Sequence, residues 1–137
     1  MEIKFEWTPS MSVGNKIIDE QHKKLLEKIN ELLTSIEEEQ ENEVIGKIIS
    51  FLGDYINEHL RYEEKYMAEN FYPDLKDHRR IHGYFVEKYN DFENRFNENG
   101  YSLEMLQEVE TFLGDWWVKH IGQEDKKYAD YIRETKS

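Results

Sequence analysis

The chain contains no cysteine, which removes disulfides, thiolate metal sites and iron–sulfur clusters from consideration. Its two prolines, Pro9 and Pro73, both fall outside the helical stretches. No run approaches the roughly 20 apolar residues of a membrane-spanning helix. The N-terminus, Met1-Glu2-Ile3-Lys4-Phe5-Glu6-Trp7, has acidic residues where an export signal needs an apolar stretch. Positive charge is also scarce: 18 Lys and Arg face 30 Asp and Glu, a formal net charge of −12. That balance speaks against nucleic acid and against an anionic membrane surface, which attract clustered basic side chains. It favours a self-repelling monomer, with the cytoplasm as the default location.

What the chain does have is aromatic material, 14% of its 137 residues, too much for a disordered segment. With a mean hydropathy of −0.90, that apolar material must be gathered into stripes. The length suits one domain, residues 1–137. Four stripes recur at three- and four-residue steps, the signature of amphipathic helices. The first runs through Ile18, His22, Leu25, Leu26, Ile29, Leu32, Leu33 and Ile36. The second holds Ile45, Ile48, Ile49, Leu52, Tyr55, Ile56, His59, Glu63, Tyr66 and Met67. The third holds His78, Ile81, His82, Phe85, Tyr89, Phe92 and Phe96, and the fourth Leu106, Val109, Phe112, Leu113, Trp116, Trp117 and His120. Between them lie an acidic turn over residues 37–42, Pro73-Asp74 with Asp74 as an N-cap, and a stop at Gly100 followed by Ser102 as another cap. Connections this short force neighbouring helices to run antiparallel, so the expected fold is all-α: an up-down-up-down four-helix bundle. Residues 1–16, with Pro9 and Gly14, read as a non-helical N-terminal arm packed over one side.

The informative residues are polar ones on apolar stripes. His22, His59, Glu63, His78, His82 and His120 all lie on faces that should be buried, and the five histidines are all the chain has. Burying so many polar groups is costly unless each finds a partner, and a buried carboxylate needs a cation. A metal satisfies them together. Imidazole and carboxylate without thiolate leave iron, manganese or zinc open. The pairs His59-x-x-x-Glu63 and His78-x-x-x-His82 sit about 40° apart around a helix, so both members of each aim at one centre. After His120 there are two candidates. Glu124 is at i+4 and favoured by spacing. Asp125 would point about 140° away in a regular helix, unless a widened turn at Gly122 brings it back.

The ordered set His22, His59-x-x-x-Glu63, His78-x-x-x-His82, His120-x-x-x-x-Asp125 resembles the hemerythrin family in its single-domain bacterial form, bacteriohemerythrin. Trp7, Val13-Gly14, Ile18-Asp19-x-x-His22, Trp116 and Ile121 agree with it, and the likeness covers about the whole chain. The resemblance implies Asp125 rather than Glu124. It also implies a non-haem centre of two iron ions bridged by Glu63, Asp125 and an oxo or hydroxo group, with no haem. His78, His82 and His120 would hold one iron, and His22 and His59 the other, which keeps a free position for dioxygen. Leu25, Leu60, Trp116, Trp117 and Ile121 match positions that wall the oxygen pocket in the family, where Trp117 is usually a smaller aliphatic residue. The implied function is reversible dioxygen binding for storage, delivery or scavenging, in an oxygen-binding protein rather than an enzyme. Nitric oxide or azide are other small ligands of such a site, and weak oxidase or peroxidase activity is compatible with it. Two alternatives are a diiron oxidase or peroxidase-type enzyme, and an oxygen or redox sensor. Enzymes of that kind use more carboxylates and fewer histidines. With about a dozen residues after Asp125, a sensor would have to act through a separate partner.

Overall fold

A computed structural model describes residues 4–136, so Met1, Glu2 and Ile3 of the expected arm lie outside the described residues. Helices α1 (Lys16–Glu37), α2 (Asn42–Glu69) and α3 (Leu75–Asn99) are followed by a fourth helix over residues 103–136. The chain is an antiparallel four-helix bundle, and the described residues contain no strand. None of their helices is long and apolar enough to cross a membrane.

The helix ends follow from local chemistry. The Asn15 side chain caps α1 by accepting from the Ile18 N–H at 3.0 Å. Asp74 and Ser102 occupy the expected cap positions, but neither side chain makes a capping bond. Gly100 ends α3 with φ +72°, and a Cβ there would meet Asn42 Nδ2 at 2.8 Å. The positive φ favours glycine at that point, and any side chain there would also have to push the Asn42 amide aside.

The fourth helix is not uniform. It is α-helical over Leu103–Glu108, widens to a π-helix over Val109–Asp115, returns to α over Trp116–Lys119, widens again over His120–Glu124, and ends as α over Asp125–Lys136. Among the described residues of the arm, Lys16 already begins α1, and one 3-10 turn, Pro9–Met11, stands where a non-helical segment was expected. Pro9 at the first position of that turn explains it, since its fixed φ suits helical geometry and no amide hydrogen is needed there. Asn30 clamps the arm to α1: its Oδ1 accepts from the Phe5 N–H at 3.0 Å and its Nδ2 donates to the Phe5 carbonyl at 2.7 Å. The Phe5 ring then lies flush on Gly114, where any side-chain carbon would overlap it. Further along, the Asp19 carboxylate accepts from the Ser12 hydroxyl and from the Val13 N–H.

Two apolar clusters fill the interior. The larger includes Leu25, Leu26, Ile29, Phe85, Trp117 and Ile121; the smaller includes Val13, Ile18, Met67, Tyr72 and Tyr128. A patch of buried polar side chains is bounded by Trp117 of the first and Tyr128 of the second. There the bundle buries what its stripes could not replace with leucine.

Candidate metal centre

All seven expected site residues are buried, each at most 3% exposed: His22, His59, Glu63, His78, His82, His120 and Asp125. α1 supplies His22, α2 His59 and Glu63, α3 His78 and His82, and the fourth helix His120 and Asp125. The two carboxylates stand in the middle. Glu63 Oε1 lies 3.6 Å from His78 Nε2 and 3.2 Å from His82 Nε2, while its Oε2 lies 3.3 Å from His22 Nε2 and 3.6 Å from His59 Nε2. Asp125 divides the same way: Oδ1 is 3.0 Å from His78 Nε2 and 3.1 Å from His120 Nε2, and Oδ2 is 3.2 Å from His22 Nε2. Each carboxylate therefore offers one oxygen to His78, His82 and His120 and the other to the side of His22 and His59. Two overlapping ligand groups result, one of Glu63, His78, His82, His120 and Asp125, the other of His22, His59 and Glu63.

Asp125 arrives there through the second π turn. Its N–H donates to the His120 carbonyl five residues back, so one wide turn closes between them and places the two side chains on the same face. Glu124, favoured by regular spacing, is turned outward and pairs with Lys127 at 3.2 Å. The reason differs from the expected one. Gly122 is not among the positive-φ residues, and open space surrounds the place a Cβ would take. The wide turn does not depend on glycine. Gly122→Ala should therefore keep metal binding intact and raise stability by about 0.5–1 kcal/mol. Thermal melting with metal analysis checks this; loss of metal would return the turn to glycine's control.

The donors are arranged for a cation. His22 Nε2, His59 Nε2, His78 Nε2, Glu63 Oε1 and both Asp125 oxygens are fully buried and make no hydrogen bond. Unpaired buried groups of this kind cost about 1–3 kcal/mol each, so a cluster of them facing one another is unfavourable without a cation. His82 Nε2 and His120 Nε2 even meet at 3.2 Å. From behind, His59 Nδ1 donates to Gln21 Oε1 at 2.7 Å and His82 Nδ1 donates to Glu64 Oε2 at 2.9 Å, which leaves both Nε2 lone pairs facing inward. The Tyr128 hydroxyl donates to Glu63 Oε2 at 2.8 Å.

Without a metal, protons take its place. Burial opposes charge on His22 and His78, yet the Asp125 and Glu63 carboxylates close to each ring outweigh it and raise both to about 9. Burial dominates at His59 and lowers it to about 4, so it stays neutral. Burial would raise the two carboxylates, but the surrounding histidines hold both well below their usual range. In the metal-free protein the raised pKa values stabilise the fold fully below about 6.5, and that contribution is lost as pH rises through about 9. Metal affinity runs the opposite way, because the ion must displace those protons from Nε2. Anaerobic ferrous titrations should show affinity rising with pH up to about 9 and levelling above it. A flat profile across that window would count against protonated His22 and His78.

The expected pocket residues divide by distance. The Trp117 ring centroid lies 5.9 Å from that of His59 and 5.7 Å from that of His120, touching both sides of the centre. Trp116, half-buried, stacks on His120 at 4.6 Å with 9° between the rings. Leu25, Leu60 and Ile121 are buried in the same apolar cluster as Trp117. Three residues escaped the sequence reading: Gln21, Glu64 and Tyr128. The first two adjoin His22 and Glu63 in the chain, but each faces a histidine on another helix, which helical periodicity does not predict. Tyr128 lies three residues after Asp125, a spacing that would have placed it on the same face.

A family model described as "Hemerythrin HHE cation binding domain" matches residues 13–132. The chain belongs to the hemerythrin family. Bacteriohemerythrin from Clostridium acetobutylicum is 33% identical over 132 residues, covering 92% of this chain and 99% of the relative. That from Pseudomonas paraeruginosa is 30% identical, covering 96% and 83% respectively. Among solved structures, a hemerythrin variant with one leucine changed to tyrosine superposes with a TM-score of 0.86 at 26% identity, over 96% of this chain and 98% of the other. The likeness to hemerythrins thus extends along nearly the full length of the chain.

Proposed function

We propose that this hemerythrin-family chain binds dioxygen reversibly at a non-haem pair of iron ions, as an oxygen-binding protein rather than an enzyme. The observation that carries the reading is the division of the two carboxylates, each presenting one oxygen to either side of the cluster. His78, His82 and His120 would hold one iron, His22 and His59 the other, and Glu63 and Asp125 would bridge them. Five imidazoles and two carboxylates suit iron, and the names of the bacteriohemerythrin relatives support it. When bound, the iron pair supplies the electrons and the open position that dioxygen needs.

The protein's own side chains do the rest. Glu63 and Asp125 offset the positive charge of the ions, which makes the charged centre less costly to bury. Gln21 and Glu64 fix the His59 and His82 rings with Nε2 inward. Tyr128 holds Glu63 Oε2 by donating to it. Leu25, Leu60, Trp117 and Ile121, all at most 4% exposed, keep water and stray protons from the side where His59 and His120 face Trp117. Dryness favours release of the ligand as dioxygen over its conversion to peroxide.

The reading is tested by loading the chain with ferrous iron anaerobically, counting two irons per chain, and admitting oxygen. A visible absorption band should appear with oxygen and fade when oxygen is removed, over repeated cycles. One-way oxidation in the first cycle would instead favour an oxidase.

A further inference from the structure

Each side of the centre has one histidine held from behind by a side chain, and the two partners differ in charge. On the side of His22 and His59, the neutral Gln21 amide accepts from His59 Nδ1 at 2.7 Å. On the side of His78, His82 and His120, the Glu64 carboxylate accepts from His82 Nδ1 at 2.9 Å. The other Glu64 oxygen lies 3.3 Å from Arg79 Nε, so the carboxylate is steered from two directions. The backing groups come from different helices: Gln21 on α1 supports His59 on α2, and Glu64 on α2 supports His82 on α3. Glu64 is partly shielded, with 23% of its side chain exposed, so water screens its effect on His82 only in part.

These two contacts are chemically unequal. A carboxylate polarises the Nδ1–H bond strongly and makes the opposite nitrogen a better electron donor. An amide oxygen orients the ring as well but polarises it much less. We propose that Glu64 and Gln21 are positioning residues that set the two iron positions to different electron density, beyond the difference in histidine number. Glu64 makes the three-histidine position the better host for a ferric ion. Gln21 orients His59 without that gain, so the two-histidine position, where the ligand would bind, keeps a stronger preference for the ferrous state. The consequence is an oxygen-binding iron that resists one-way oxidation while its partner is poised to share charge. This inference rests on the diiron reading above.

Isosteric exchanges separate electronic tuning from simple orientation, because they keep the shape of each contact and change only its charge. The full chain is loaded with iron, and the unaltered protein is compared with Glu64→Gln and Gln21→Glu. Midpoint potentials are measured by spectroelectrochemistry, and the two irons are followed separately by Mössbauer spectroscopy. Changing such an outer partner typically costs about 10–100-fold in metal affinity. A tenfold loss confined to the ferric state corresponds to about 59 mV for a one-electron step. Glu64→Gln should therefore raise the potential by at least about that amount, with the Mössbauer change confined to one iron. Gln21→Glu should lower the potential, with the change on the other iron. Two irons retained with potentials shifted by less than about twofold in affinity, or shifted in the same direction, would overturn the proposal. Should Glu64→Gln fail to hold iron, Arg79→Gln takes its place. Freed from Arg79, the carboxylate leans harder on His82, and the potential should fall; no shift there or in Gln21→Glu overturns the idea equally. Absence of two irons from the unaltered chain would overturn the diiron reading and this one with it, whereas two irons with unmoved potentials would overturn this one alone.

Discussion

Glu63→Gln should reduce iron binding from two ions per chain to fewer than one and abolish the oxygen-dependent absorption. Gln preserves the size of Glu and removes its charge, so the loss would report the carboxylate itself. Four histidines and Tyr128 converge on Glu63, within 3.6 Å. An amide cannot offer two equivalent anionic oxygens, and its NH2 group would point a donor at an ion. The metal-free protein should suffer as well. Glu63 supports the raised pKa of His22 and His78 by its nearby negative charge, second only to Asp125. Removing one partner from a buried ion pair commonly costs about 3–5 kcal/mol. Two measurements check this: iron analysis after anaerobic loading, and chemical denaturation of the metal-free chain. Two irons per Glu63→Gln chain would show that Asp125 alone suffices as a bridge.

Changing Trp117 should have the second-largest effect, split between stability and ligand exchange. The indole is entirely buried and packs against Phe85 at 5.2 Å and Trp116 at 5.1 Å between ring centroids. Trp117→Ala should cost about 3–5 kcal/mol, because it removes a large buried side chain and leaves a cavity the bundle cannot fully close. Trp117→Leu opens less space and is the better probe of function. With room restored between His59 and His120, oxygen should associate faster, and water should gain access too, so oxidation of the centre should also speed up. Stopped-flow mixing with oxygen measures the first and slow loss of the oxygen-bound spectrum the second. If both rates match those of the unaltered protein while stability falls, Trp117 is packing alone.

The bundle itself was legible because helical periodicity and short connections are local. The stripes through Ile18 to Ile36 and His78 to Phe96 turn inward in the structure along the residues their spacing selects, except that Ile81 is only half-buried. Polar residues on those stripes were equally legible, since burial of His22 or Glu63 contradicts their solvation unless something compensates. The π-helical widening over Val109–Asp115 was not. It coincides with the seat of Phe5 on Gly114, a contact between residues far apart in sequence that no local pattern announces.

Sequence alone determined the helix count, the all-histidine and carboxylate character of the centre, and the absence of sulfur from it. Each follows from residue identity and spacing along one helix. Tertiary structure decided the rest. Spacing favoured Glu124 and only the family resemblance pointed to Asp125. The structure turned Asp125 inward and Glu124 outward through a wide turn set by hydrogen-bond register rather than by Gly122. It gave Glu63 and Asp125 one oxygen for each side, and put neutral Gln21 behind His59 and charged Glu64 behind His82. Those are relations between helices, fixed by packing in three dimensions, and periodicity within a single helix carries no information about them.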